Sequence, residues 1–277
     1  MSNHVPIPTL YLFPVLDGLL IDLLKSLTDE EWRKPTIAKL WTVKDIAAHL
    51  LDGNLRVISS AHHYSGKPPQ NINSYRDLVN YLNHLNAVFV EAMDRVSPQQ
   101  LISMLADTGE QYTAYFSSLD PFAPAQYAVS WAGEEQSVNW FHTAREYTEK
   151  WHHQQQIRHA VNKPGIITPE LFYPCMDTFM RGIPYNYREV EADAGTTVAI
   201  TISTEAGGTW YLQKASNNWQ LIKQTATTHD ASVTIDPDTA WQFFTKGITP
   251  VAAEGKAIVT GDFSLTKNIF STLSVMA

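Results

Sequence analysis

The segment WTVKDIAAHL spans residues 41–50 and carries the clearest helix start in the chain. Thr42 is a residue type that caps helices, and Asp45 stands three positions later, where an acidic side chain returns a hydrogen bond to the cap. This spacing predicts a helix that opens after Thr42 and runs toward Ala61. His49 then lies about two turns inside that helix.

Helical spacing of apolar residues extends from residue 9 to about residue 180. Leucines between positions 16 and 27 form one stripe, and residues 74–96 and 98–119 are predicted as two helices separated by Ser97-Pro98. A further helix is predicted over residues 137–161, before a Lys-Pro-Gly stop. Four long helices favour a bundle, whose interior is a usual place for a metal site.

After Pro184 the pattern changes to period two. Val198, Ile200 and Ile202 alternate with polar residues, and Gly207-Gly208 is typical of a hairpin turn. Additional strands are predicted around residues 210–212, 219–221, 231–235 and 257–259, with helices through residues 236–244 and 262–273. The predicted fold class is therefore multidomain: a four-helix bundle over residues 1–183, then a small α+β domain over residues 190–277.

Composition excludes several classes of partner. The chain has 277 residues and a net charge of −8, with no run of Lys or Arg, so neither nucleic acid nor an anionic membrane is expected as a partner. The single cysteine, Cys175, and the absence of an N-terminal leader pattern predict a cytoplasmic protein. Cys175 follows Leu171-Phe172-Tyr173-Pro174, which favours inert burial over nucleophilic chemistry.

Glu149 and His153 form the pattern most suggestive of chemistry. Residues at i and i+4 point the same way from a helix and stand about 6 Å apart along its axis, a spacing that suits one metal ion. His49 could complete a three-ligand site with an open fourth position, which a catalytic zinc needs for water or a substrate atom.

Other histidines and acids compete for this role. His63 lies about 21 Å from His49 along a continued helix, and His142 lies about 16 Å from His153, so neither can share the ion. Glu146, one turn before Glu149, and His152, an i, i+3 partner of Glu149, both remain open as alternatives.

Two segments resemble a known family. Residues 41–50 resemble the W-x-V-x-D-x-x-A-H-L signature of the DinB-like superfamily, and residues 149–157 resemble its second signature, a ligand, three residues, a His, then x-x-Q-I. With Glu at the first ligand position and a trailing α+β domain, the chain is similar to the mycothiol-dependent maleylpyruvate isomerase family. The trailing domain resembles the sterol-carrier-like fold.

The resemblance implies both a site and a chemistry. It assigns His49, Glu149 and His153 as ligands of a divalent metal, zinc first and nickel second, with a low-molecular-weight thiol, mycothiol or bacillithiol, as cosubstrate. A divalent cation stabilises a bound thiolate, which can then add to a cis double bond or attack another electrophile. The implied partners are this thiol and a small-molecule substrate, and the sequence leaves a monomer or a homodimer open.

One departure concerns the substrate. The family often carries an arginine after the tryptophan of the trailing domain's helix, where this chain has Gln242 after Trp241, and no arginine follows Arg188. Because a bidentate carboxylate clamp favours arginine over lysine, Lys246 is an imperfect substitute, which argues against a dianion such as maleylpyruvate.

Three functions are thus compared. The first is a metal-dependent thiol-using isomerase or S-transferase, which the resemblance favours. The second is a metal-dependent hydrolase, in which Glu146 would handle protons. The third is a non-catalytic binder with an apolar ligand beside Trp241, Phe243 and Phe244, although aromatics at helical spacing are more often core.

Overall fold

The computed structural model describes residues 4–64, 66, 72–223 and 228–271. The chain divides into two compact units, a helical unit of residues 8–123 and 146–165 and a sheet unit of residues 1–7, 124–145 and 166–276. Since these units interleave along the chain, the domain boundary near residues 183–195 stays a prediction. No helix in the described ranges is long and apolar enough to cross a membrane.

Helices and strands follow the predicted order. The helices are α1 (Phe13–Lys25), α2 (Asp29–Trp32), α3 (Val43–Ala61), α4 (Tyr75–Met93), α5 (Pro98–Ser117), α6 (Asn139–Val161), α7 (Pro169–Met180), α8 (Ile183–Asn186), α9 (Pro237–Phe244), α10 (Pro250–Glu254) and α11 (Phe263–Thr266). The strands are β1 (Thr197–Ile202), β2 (Gly208–Lys214), β3 (Trp219–Ile222), β4 (Ala231–Ile235) and β5 (Ile258–Gly261). The predicted fold class, a helical N-terminal region followed by a small α+β domain, is confirmed.

Helix α3 begins where the cap predicts. The Thr42 hydroxyl accepts from the Asp45 amide, while the Asp45 carboxylate accepts from the Thr42 amide at 2.8 Å. This reciprocal pair satisfies donors that the first turn would otherwise leave open, so the start of α3 is fixed by local sequence. The register of His49 follows from that start.

The core of the helical unit lies between α1, α3 and α5. Helix α3 packs against α5 and α4, and α1 packs against α5. Phe13 makes edge contacts with Tyr112 and Phe116 and stacks against Tyr147 of α6. The fully or nearly fully buried side chains of this core include Leu20, Leu24, Val43, Ile46, Ala47, Leu51, Leu101, Leu105 and Ile157.

Helix α6 differs from the others because it buries polar side chains. From Tyr147 to Arg158 every residue except Glu149 is buried, yet most of these residues are polar or ionisable. Buried polar groups cost free energy unless they are paired, so such a helix must provide a partner for each of them. Helix α6 is therefore the first place to look for a functional site.

The sheet unit is built on a five-stranded sheet in the order β3-β2-β1-β4-β5. Strands β1 and β4 are parallel and the other neighbouring pairs are antiparallel. Gly207 closes the β1–β2 connection as predicted, since a Cβ there would lie 2.1 Å from the Ile202 carbonyl oxygen. Trp241 and Phe244 of α9 are fully buried, and Phe244 stacks on Phe179, so these aromatics are core.

The closing helix is shorter than predicted. Residues 262–273 are predicted as one helix, but α11 ends at Thr266 and a 3-10 turn follows over Ile269–Ser271; residues 272–273 lie outside the described ranges. The Asn186 amide donates at 2.5 Å to the carbonyl of Asn268, which lies between α11 and the 3-10 turn. The break in the predicted helix is therefore contacted by a residue 82 positions away.

Candidate metal centre

Two helices of the helical unit carry the predicted ligands. Among the described residues, Glu149, His152 and His153 of α6 offer ligand atoms that all lie within 4.8 Å of one another. His49 of α3 lies next to this group, with its ring centroid 4.6 Å from that of His153. The structure therefore groups Glu149 and His153 with His152, which the sequence left open, while His49 is in ring contact with His153 and is not part of that group.

His153 is oriented by a neighbour on its own helix. Its Nδ1 lies 2.9 Å from the Gln156 side-chain oxygen, and because an amide oxygen only accepts, Nδ1 carries the proton. The lone pair is then on Nε2, which lies 3.7 Å from the Glu149 carboxylate. An outer partner that fixes the tautomer in this way is what metal-ligating histidines usually have. Gln156 was not predicted to contribute, although its i, i+3 spacing from His153 could have indicated it.

His152 has the same tautomer for a different reason. Its Nδ1 lies 2.8 Å from the Thr148 carbonyl oxygen, which again makes Nδ1 the donor and leaves Nε2 as the acceptor. The rings of His152 and His153 have centroids 3.9 Å apart. His152 is thus prepared to donate a lone pair, and it remains an alternative ligand.

His49 is enclosed between aromatic rings. The Trp41 ring lies 4.7 Å from His49 and 6.4 Å from His153, centroid to centroid. His49 Nδ1 is buried and has no hydrogen-bond partner among the described residues. A buried imidazole nitrogen without a partner is unusual in a folded protein, and a ligand would satisfy it.

The rival acid Glu146 is engaged by a different residue. The Tyr112 hydroxyl of α5 donates to the Glu146 carboxylate at 2.5 Å. One oxygen of Glu146 is therefore engaged by a phenol, and Glu146 is not in the group formed by Glu149, His152 and His153, which favours Glu149 as the acidic ligand.

Burial keeps the three histidines neutral. Desolvation lowers the pKa of His153 to about 3 and that of His152 to about 4, and it lowers the pKa of His49 well below its usual value. The neighbouring imidazoles contribute to the shifts of His153 and His49. Neutral histidine is the form that binds metal, so the ligands need no deprotonation at pH 7.

These shifts predict a pH-dependent stability of the metal-free protein. The folded-state pKa values of His152 and His153 lie below the unfolded value of 6.5, so the unfolded chain binds more protons between pH 6.5 and about pH 4. Stability is complete above pH 6.5 and falls as the pH decreases, by about 2 kcal/mol per histidine between pH 7 and pH 5. Urea unfolding of chelator-treated protein at both pH values measures this loss of stability. In a His152→Gln variant, about half of the loss contributed by His152 and His153 together should disappear. An equal stability at pH 7 and pH 5 would contradict the buried neutral state.

The donor set fits zinc. Imidazole nitrogens and one carboxylate are the ligands of many catalytic zinc sites, and three of them leave a position open. The orphaned His49 nitrogen and the aligned His153 Nε2 agree with this chemistry. An ordinary cluster of acidic side chains on a surface has neither an unpartnered buried nitrogen nor an oriented imidazole.

Comparison with known proteins identifies the family. The sequence profile described as "Mycothiol maleylpyruvate isomerase N-terminal domain" matches residues 16–158, just over half of the chain. The chain belongs to this family, which is consistent with the DinB-like superfamily, and the predictions of this family and of an enzyme are confirmed. The matched region contains His49, Glu149, His152 and His153.

One of the solved structures that match the chain shows a similar fold. A histidine-to-alanine mutant of mycothiol-dependent maleylpyruvate isomerase is 9% identical and superposes with a TM-score of 0.52 over 91% of each chain. A second structure of mycothiol-dependent maleylpyruvate isomerase is 11% identical, with a TM-score of 0.47 over 84% of this chain and 86% of that chain. A UbiJ-SCP2 ubiquinone synthesis protein is 13% identical, with a TM-score of 0.23 over 30% of this chain and 73% of that chain. No curated protein matches the chain in sequence.

Gln242 and Cys175 lie in the sheet unit. Gln242 is buried in α9 and donates to Asp238 at 3.0 Å, and the Trp241 indole donates to the other oxygen of Asp238 at 2.8 Å. Cys175 is fully buried in α7, as predicted.

Proposed function

We propose that this protein is a metal-dependent enzyme that activates a low-molecular-weight thiol for isomerisation or S-transfer on a small electrophile. His49, Glu149 and His153 are the proposed metal ligands, with zinc as the metal and nickel as the alternative. The observation that carries the proposal is the buried His49 Nδ1, which lacks a partner among the described residues and belongs to a ring 4.6 Å from that of His153.

The residues of the centre have distinct tasks. Gln156 holds His153 so that Nε2 is directed toward Glu149. The Trp41 ring packs beside the His49 ring, with their centroids 4.7 Å apart. A zinc ion, when bound, would supply a Lewis acid that stabilises a thiolate at neutral pH.

Access to the centre is expected from the side of Glu149. Its side chain is 32% exposed, whereas that of His153 is only 10% exposed. A small thiol can therefore approach the carboxylate side, whereas the imidazoles of His152 and His153 are buried. Burial strengthens the electrostatic interactions of their ligand atoms.

The proposed substrate class follows from the trailing domain. Gln242 occupies the position where the family often has arginine. Its side-chain amide donates a hydrogen bond to Asp238, and the residue adds no positive charge. We propose a small electrophile without the two carboxylates of maleylpyruvate. Mycothiol and bacillithiol are both candidates for the thiol.

The decisive experiment measures metal content and thiol binding on the same tag-free samples. We expect about one zinc per chain by mass spectrometry, and thiol binding by calorimetry that disappears after chelation and returns on reloading. Parallel His49→Ala and His152→Ala variants identify the third ligand: we expect zinc loss in the first and zinc retention in the second.

The alternatives give different results. Metal-dependent hydrolysis of esters or amides without thiol would favour the hydrolase. A wild-type protein that takes up no stoichiometric metal after reloading would overturn the metal centre and leave a small-molecule binding protein.

A further inference from the structure

A buried lysine stands between the proposed ligands in sequence. Lys150 follows Glu149 on α6, is only 7% exposed, and directs its ammonium group into the helical unit. The ammonium donates to Asp17 at 2.8 Å and to the Asn54 side-chain oxygen at 3.0 Å, and it lies 4.3 Å from the centroid of the Tyr112 ring. One side chain thus contacts α1, α3 and α5 together.

Of the four helices that Lys150 connects, α3 and α6 carry the proposed metal ligands. Asn54 belongs to α3, five residues after His49, while Lys150 is adjacent to Glu149 and one turn from His153. Asn54 is itself held, since its amide donates to the Thr108 hydroxyl of α5 at 3.0 Å. The Lys150–Asn54 hydrogen bond is therefore a direct polar link between the helix of His49 and the helix of Glu149 and His153.

The surroundings of this link are apolar and tightly packed. A cavity of about 10 Å³ beside Asp17 and Lys150 is lined by leucines of α1, α3 and α5. A Cβ at Gly109 would lie 2.8 Å from the second Asp17 oxygen, which is buried and has no hydrogen-bond partner among the described residues. Glycine at this position thus leaves room for the carboxylate.

Stability alone does not explain the presence of a buried ion pair in such surroundings. Well-packed apolar residues of similar volume are usually as stabilising as a buried ion pair, or more so. The pair also adds directional contacts, because the hydrogen bonds that an ammonium group donates have preferred distances and angles and can hold one helix at a defined position against another.

We propose that Lys150 is a positioning residue, which sets the distance between His49 and the Glu149–His153 pair through Asp17 and Asn54. This role rests on the proposed metal centre. Lys150 does not itself touch the metal or the thiol. It acts by holding α3 and α6 in the register that lets their ligand atoms converge.

The test removes the link without leaving a buried charge. An Asp17→Leu, Lys150→Met double variant has two apolar side chains in an apolar site and is expected to fold. We expect its Kd for zinc, measured by chelator competition, to rise about 10- to 100-fold, the range typical of lost outer-shell partners. The visible absorption bands of the cobalt-substituted protein should also change, because they report ligand geometry.

Two further variants complete the design. Asn54→Leu cuts only the link to α3, keeps the Lys150–Asp17 pair, and should change the zinc Kd and the cobalt spectrum in the same direction. Lys163→Met, which removes a lysine–glutamate pair elsewhere in the helical unit, should change neither.

The outcomes separate the two proposals. Wild-type zinc affinity and an unchanged cobalt spectrum in a folded double variant and in Asn54→Leu would overturn the positioning role and leave the metal centre intact. A wild-type protein without stoichiometric metal would overturn the centre itself and the role that depends on it.

Discussion

A His153→Ala variant is expected to lose its metal and its thiol binding while keeping its fold. His153 is the only residue of the centre that combines an aligned Nε2, an outer partner on Nδ1, and ring contacts to both His49 and His152. Loss of outer-shell partners alone costs about 10- to 100-fold in metal affinity, so loss of a ligand should cost more than about 100-fold. Metal content, zinc Kd and thiol calorimetry measure the effect.

Two variants on the same helix make this result interpretable. Gln156→Ala removes only the partner of Nδ1 and should give the smaller loss, about 10- to 100-fold in zinc affinity. His159→Ala changes an exposed histidine of α6 and should bind zinc like the wild type. Equal zinc affinity in His153→Ala and the wild type would remove His153 from the site.

A single Lys150→Met substitution is expected to lower the free energy of unfolding by up to about 3 kcal/mol, because it leaves the Asp17 carboxylate, whose side chain is only 19% exposed, without its countercharge. Lys150 is almost fully buried, and its ammonium group is the partner of one Asp17 oxygen while the other has none among the described residues. Adding Asp17→Leu to Lys150→Met should restore most of the stability. Urea unfolding of the single and double variants measures both steps.

The control is a second lysine–carboxylate pair of the same unit, in which the lysine is more exposed than Lys150 while the Glu31 and Asp17 side chains are similarly exposed, at 17% and 19%. Lys163 pairs with Glu31 at 3.0 Å, but its side chain is 34% exposed, so Lys163→Met should cost about 1 kcal/mol or less. If the single Lys150→Met variant were as stable as this control, the Lys150–Asp17 contact would be a solvated pair and not a buried one.

The sequence predicts those elements whose causes lie within a few residues. The start of α3 follows from Thr42 and Asp45, and the turn at Gly207 follows from the lack of space for a side chain. The break after α11 was not predicted, and the Asn268 carbonyl in that break accepts a hydrogen bond from Asn186. Local patterns contain no information about a partner 82 positions away.

In the candidate site, too, features with local causes could be predicted, whereas features that depend on the packing of two helices could not. The i, i+4 spacing of Glu149 and His153 and the helix register of His49 are local, and the structure brings these residues together. Whether His49 or His152 is the third ligand depends on how α3 and α6 approach each other, which spacing does not encode. Lys150 gave no sequence signal, since a lone lysine on a polar helix is usually at the surface.

The burial of Cys175 affects how the protein would react with small thiols and with alkylating reagents. The chain has one cysteine, and its side chain has no solvent exposure. Thiol–disulfide exchange needs an accessible sulfur, so oxidised cosubstrate cannot be captured by the protein as a mixed disulfide. Alkylating reagents applied to the native protein should therefore count the bound cosubstrate alone.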